Sequence, residues 1–194
     1  MAKQPKEPKP KKLSYERIDP HDDPDGIYPL LRELVANERS DLVEAEIALA
    51  WRVGWKADKD GLMPLGKCKK AADLEKEFHT YDFVIILNAE AWKKLSAVQR
   101  RALVHHELMH AAVSEDKESG EVKRDAKGRP VFRIRKHDLE EFRDIVTKYG
   151  CYKADIEAFV NAAMSGPKAP TLFDPADEGE DGDDSEGGES RESA

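Results

Sequence analysis

Ser96-Ala97-Val98-Gln99-Arg100-Arg101-Ala102-Leu103-Val104-His105-His106-Glu107-Leu108-Met109-His110 is the stretch from which the rest of the chain can be read. Ser96 and Gln99 have the spacing of a capping box, with the serine as N-cap, so a helix is expected to start near Ala97. Neither Gly nor Pro interrupts the chain from there to Val113, and the helix is predicted to run through His110 to about Val113. Residues four apart lie one above the other on a helix, which places the imidazoles of His106 and His110 where they can share one metal ion. Glu107, beside the first of them, can reach a water activated by that ion without becoming a ligand, which is the position of a general base. Leu103, His106, His110 and Val113 form one stripe at 3/4 spacing, and the stripe predicts that the histidines face a packed interior. His105 has Met109 as its i+4 partner and is assigned a packing or supporting role.

A catalytic zinc has three protein ligands and an open position, so a further donor must come from elsewhere in the chain. His137 is the first candidate, standing just ahead of a segment with apolar residues at Leu139, Phe142, Ile145, Val146 and Tyr149. That spacing predicts a helix over 138–149, with Asp138 able to cap it and Gly150 as its stop. Glu140 and Glu141 are the competing ligands, with Asp144 in support, although Asp138-Leu139-Glu140-Glu141 also has capping-box form. His21 and His79 lie in regions without ligand spacing.

Upstream, Tyr81 to Asn88 contains five consecutive large apolar residues and reads as a buried strand. Residues 27–51 begin with helical spacing and break near Asn37 to Asp41, so a helix followed by a helix or strand is expected. Gly61, Pro64 and Gly66 mark turns, Lys67 to Ala71 a short strand leading into a polar helix, and Ala89 to Lys94 a helical turn. Downstream, the charged run from Ser114 to Lys136, with a short strand at Val131 to Ile134, reads as a hairpin-like excursion, and a last helix is expected over 153–163. Trp51, Trp55 and Trp92 are assigned to the core. The fold class is α+β: one domain over 13–165, in which a small sheet packs on the histidine-bearing helix.

The net charge of −8 is unevenly spread. Residues 1–12 carry five Lys and one Glu, and residues 166–194 carry ten acidic and two basic side chains. Both ends lack the apolar residues that a core needs, so a disordered basic arm and a disordered acidic tail are expected. The arm could make weak phosphate contacts with nucleic acid. No stretch resembles a membrane span or a secretory leader, which points to a cytoplasmic protein with no membrane partner. Cys68 and Cys151 form no metal-finger pattern and are read as reduced thiols.

The run from Asp82 through His106-Glu107-Leu108-Met109-His110 to His137-Asp138-Leu139-Glu140-Glu141-Phe142 and Tyr149-Gly150 resembles a metallopeptidase family of phages and prophages. It is also similar to the SprT-like zinc proteases, in which a later H-G-x-x-F pattern supplies the third histidine. The resemblance implies a zincin-like domain that hydrolyses protein or peptide substrates, with Zn2+ on His106, His110 and His137 and Glu107 as base. It further implies a substrate laid as an added strand beside a small sheet, which would make 83–87 its edge, the edge's neighbour or a core strand. Asp138 replaces the glycine of the SprT-like pattern, and Phe142 falls five residues after His137 instead of four. The acid alternatives therefore stay open. Two other readings are a DNA-associated protease acting on DNA-bound proteins and a zinc-stabilised interaction module without turnover.

Overall fold

The computed structural model describes residues 13–167, and the expected basic arm (1–12) and nearly all of the acidic tail lie outside the described residues. Four strands form a mixed sheet in the order β1-β2-β4-β3: β1 (Ser14–Arg17), β2 (Ile47–Val53), β3 (Gly66–Lys70) and β4 (Phe83–Asn88). β1 runs antiparallel to β2, β2 parallel to β4, and β3 antiparallel to β4. The centre of the sheet goes to the most continuously apolar segment, because a strand covered on both faces needs apolar residues at successive positions. Phe83, Ile85, Ile86 and Leu87 are accordingly all buried. β4 is thus an interior strand, and β3 is the edge.

One face of this sheet is covered by α1 (Ile27–Glu38) and α4 (Ala97–His110). α1 turns Ile27, Leu31 and Leu34 inward, the i, i+4, i+7 spacing of an amphipathic helix. They meet Leu49, Phe83, Ile85 and Leu87 of the sheet and Val104 and Leu108 of α4 in a single core. Between α1 and β2 the chain makes a 3-10 turn at Ser40–Leu42, with Leu42 buried. α2 (Asp73–Lys76) and α3 (Ala89–Trp92) are single turns that join the strands to one another and to α4. Asn88 holds the end of β4 by accepting from Glu90 N and Ala91 N while donating to Pro64 O at 2.9 Å, just before β3.

The capping box is present, with Gln99 N donating to Ser96 Oγ and Ser96 N to Gln99 Oε1. α4 nevertheless ends at His110, short of the expected Val113, because the chain becomes extended there. β5 (Ala111–Val113) follows at once and pairs antiparallel with β6 (Phe132–Ile134), the excursion between them forming the expected hairpin. Phe132 meets Phe83 edge-on, with ring centroids 5.4 Å apart, and joins the hairpin to the core.

The next helix also differs from expectation. α5 spans Arg143–Tyr149, and Asp138 caps nothing: its carboxylate pairs with Arg135 at 2.6 Å, so 135–142 runs as a non-helical strap. α6 (Ala154–Ser165) closes the described chain. β1 was not anticipated, since its exposed residues carry no apolar alternation; the Arg52 guanidinium stacked 4.1 Å over Tyr15 helps to hold it. The α+β architecture is as expected, and no helix of the described residues is long and apolar enough to cross a membrane.

Candidate metal centre

His106 and His110 project from the last turn and a half of α4, and the strap brings His137 over them. One ring nitrogen from each of the three lies within 4.8 Å of the others, and Nε2 of His106 stands 3.2 Å from Nε2 of His137. The histidines do not face a packed interior: His106 and His137 are exposed and His110 is half-buried. The inward positions of α4 belong instead to Val104, Glu107 and Leu108. The histidines open onto a cleft of about 640 Å3 walled by Gly66 to Cys68, Glu107, Ile134 to His137, Leu139 and Glu140.

His110 is oriented by the strap. Its Nδ1 lies 2.8 Å from Arg135 O, and Arg135 N donates to His110 O at 2.8 Å. A proton on Nδ1 facing a carbonyl leaves Nε2 as the free donor atom. The pKa of His106 is lowered, first by desolvation and then by the neighbouring His110 and His137, so its ring is favoured in the neutral form that a metal requires.

Glu107 is 3% exposed, and its Oε2 has no hydrogen-bond partner among the described residues. A buried carboxylate oxygen without a partner is costly unless something absent from the protein itself satisfies it. Burial pushes the Glu107 carboxyl up to about 7, opposed by the nearby His110 and by the Cys68 backbone N–H. Cys68 shares this corner, but burial, with the Glu107 charge adding to it, pushes the thiol up to about 12; both cysteines are free thiols.

The carboxylate lies against β3 because residue 66 has no side chain. A Cβ on Gly66 would stand 2.5 Å from Glu107 Oε1 and 2.9 Å from its Cδ and Cγ. The obstructed atoms are the end of a flexible side chain, so Gly66→Ala should displace the carboxylate and leave the backbone in place. A misplacement of about 1 Å can cost about 100-fold in rate. Steady-state kinetics beside metal analysis should therefore show kcat falling by about 10–100-fold with metal content unchanged.

The competing acids separate clearly. Glu140 lines the cleft. Glu141 is turned away: its carboxylate accepts from Lys153 Nζ at 2.6 Å, from Tyr152 Oη and from Phe142 N at 2.9 Å, which fastens the strap to α6. Lys153, then Tyr152, then Phe142 N hold its pKa down to about 2, from an ordinary value of 4.5. A depressed carboxyl stabilises the fold fully above its unfolded value, and the contribution is lost as pH falls through the folded one. Protection of the 141–153 amides, as the exchange rate relative to the intrinsic rate at each pH, should accordingly be constant above pH 4.5 and fall as pH drops towards 2. Glu141→Gln should remove most of that dependence.

His79 stacks on Tyr81, His21 is exposed in a loop, and neither belongs to the cluster. Trp92 is buried and Trp51 meets it edge-on, as a core role requires. The spacing of the histidines gave no hint of Arg135 or Cys68, which act through backbone atoms that every residue carries. Gly66 was visible only as a turn marker.

This is a small α+β domain in which two histidines of one helix and a third from the strap converge beside a buried acid, a donor set that could hold a metal ion. The family model described as "Putative phage metallopeptidase" matches residues 21–164, and the chain belongs to that family. No curated protein and no solved structure matches the chain.

Proposed function

We propose that this chain is a zinc-dependent peptidase in which His106, His110 and His137 hold the ion and Glu107 is the general base. The observation that carries the reading is the 3.2 Å between Nε2 of His106 and Nε2 of His137. Two nitrogens each about 2.0–2.1 Å from one tetrahedral zinc lie about 3.3 Å apart, so the pair already has the edge length of such a site. Three imidazoles with an open fourth position are a catalytic donor set, and a structural site has no use for a buried, unpartnered carboxylate beside it. The bound ion would polarise a peptide carbonyl and make a neighbouring water more acidic.

The chain's own groups supply the rest. Glu107, desolvated and facing the cleft, takes the proton of the attacking water and delivers it to the leaving amine. Asn88 N donates to Leu65 O and Ala71 N to Asp82 O, a register that spends the odd-numbered peptide groups of β3 on β4. The peptide groups of Gly66 and Lys70 and the Cys68 carbonyl then point to the free edge, where an extended substrate can add as a strand, while the Cys68 N–H serves Glu107. A second cavity of about 360 Å3 adjoins the histidines beneath Phe159 of α6, with Met109 and Leu139 in its wall, and has room for a substrate side chain. The decisive test is Glu107→Gln, which should separate metal retention from peptide cleavage.

A further inference from the structure

The last turn of α4 carries His110, and a helix's last turn is where carbonyls lack intrahelical donors and fraying begins. Here Leu108 O accepts from Ala111 N, the bond that closes the helix, and takes a second donor besides. Arg39 Nη1 donates to Leu108 O at 2.8 Å and Arg39 Nη2 to Ala111 O at 2.6 Å, so a single guanidinium bonds the chain on both sides of His110. The His110 carbonyl between them is taken by Arg135 N at 2.8 Å.

The guanidinium is itself held. Nε and Nη2 donate to the two carboxylate oxygens of Asp41 at 2.9 and 2.8 Å, a bidentate pair that fixes the plane of the fork. The backbone of Arg39 is pinned where α1 ends, with Arg39 N donating to Val35 O and Leu42 N to Arg39 O. Leu34 and Leu42, on either side, are buried in the core. Its side chain is only 12% exposed, and Nη1 also lies 3.7 Å from Met109 Sδ. A lysine could not serve both carbonyls and the carboxylate, because its ammonium is a point charge without a planar fork.

We propose that the Arg39–Asp41 pair is a positioning device for the metal centre: it keeps the last turn of α4 helical and so holds His110 where His106 and His137 can share an ion with it. This rests on the three-histidine reading above. The guanidinium also places positive charge at the helix C-terminus, which favours the helical state of that turn. Arg39 is not in the wall of the cleft, and its hydrogen bonds reach the centre through the backbone on either side of His110.

The test compares full-length wild type with Arg39→Gln, Arg39→Lys, Asp41→Asn, His110→Ala and the core variant Leu34→Ala. Zinc affinity is read by chelator competition, and hydrogen exchange of the 108–111 amides is read in metal-free protein. Arg39→Gln should bind zinc about 10–100-fold more weakly and exchange faster at 108–111, with Arg39→Lys between it and wild type. Asp41→Asn should shift both readouts in the same direction by less, and it decides the matter if Arg39→Gln does not fold. Leu34→Ala should lower the unfolding midpoint while keeping wild-type zinc affinity. Arg39→Gln with wild-type affinity, or Leu34→Ala matching its loss, overturns the positioning role. If His110→Ala keeps wild-type affinity, the three-histidine reading fails and the inference with it; if His110→Ala loses zinc and the Arg39 and Asp41 variants do not, the inference alone fails.

Discussion

Glu107→Gln is expected to retain its metal and to lose peptide cleavage by about 10²–10⁴-fold, the range over which a positioned acid–base group contributes. The substitution is nearly isosteric, so the amide fits the space that Gly66 leaves open, and its oxygen can still accept from the Cys68 backbone N–H. What disappears is the basic oxygen. Oε2 is the buried atom without a partner, and an amide NH2 there can neither take a proton from water nor pass one on. The three histidines do not depend on Glu107 for orientation, since His110 is held by Arg135 O and His137 arrives on the strap. Metal content and cleavage of a peptide substrate, measured on the same preparation, check both halves. A variant as active as wild type would remove Glu107 from the mechanism.

Much of this was legible in the chain because two strong local signals coincide. The capping box at Ser96 and Gln99 placed the start of α4, and the apolar run at Phe83 to Leu87 marked the central strand, since nothing but burial on both faces accounts for five such residues in a row. The spacing of His106 and His110 then needed no tertiary knowledge. The misreadings occur where a tertiary contact overrode a local pattern. Nothing between His110 and Val113 breaks a helix, yet pairing with β6 makes Ala111–Val113 a strand. Asp138 to Glu141 has capping-box form, yet Arg135 and Lys153 draw its first and last acids into ion pairs.

The position of the third histidine depends on that second override. A helix beginning at Asp138 would have put His137 at a helix start; the non-helical strap carries it across the mouth of the cleft instead. The same strap settles where Glu141 goes. Its carboxylate is consumed by Lys153, Tyr152 and Phe142 N, contacts between groups too far apart in character to be read from spacing. The part played by β3 was equally hidden, because Gly66 and Cys68 act by close approach and by a backbone N–H.

The second large effect concerns the ligands. Removing a ligating imidazole leaves two nitrogens and solvent, so zinc affinity should fall by more than the about 10–100-fold typical of a residue that only supports a ligand. His110→Ala and His137→Ala should both show that loss. Glu141→Ala, which loosens the strap without removing a donor, and Glu140→Ala should each change affinity by no more than about 10-fold. The donors must be unprotonated, so the affinity of wild type should also decline as pH falls through the histidine range. The most direct measurement is the metal content of purified wild type beside His137→Ala, each titrated against the same chelator. The three-histidine centre predicts close to one zinc per chain in wild type and little in the variant; a His137→Ala protein that holds zinc as wild type does would contradict it.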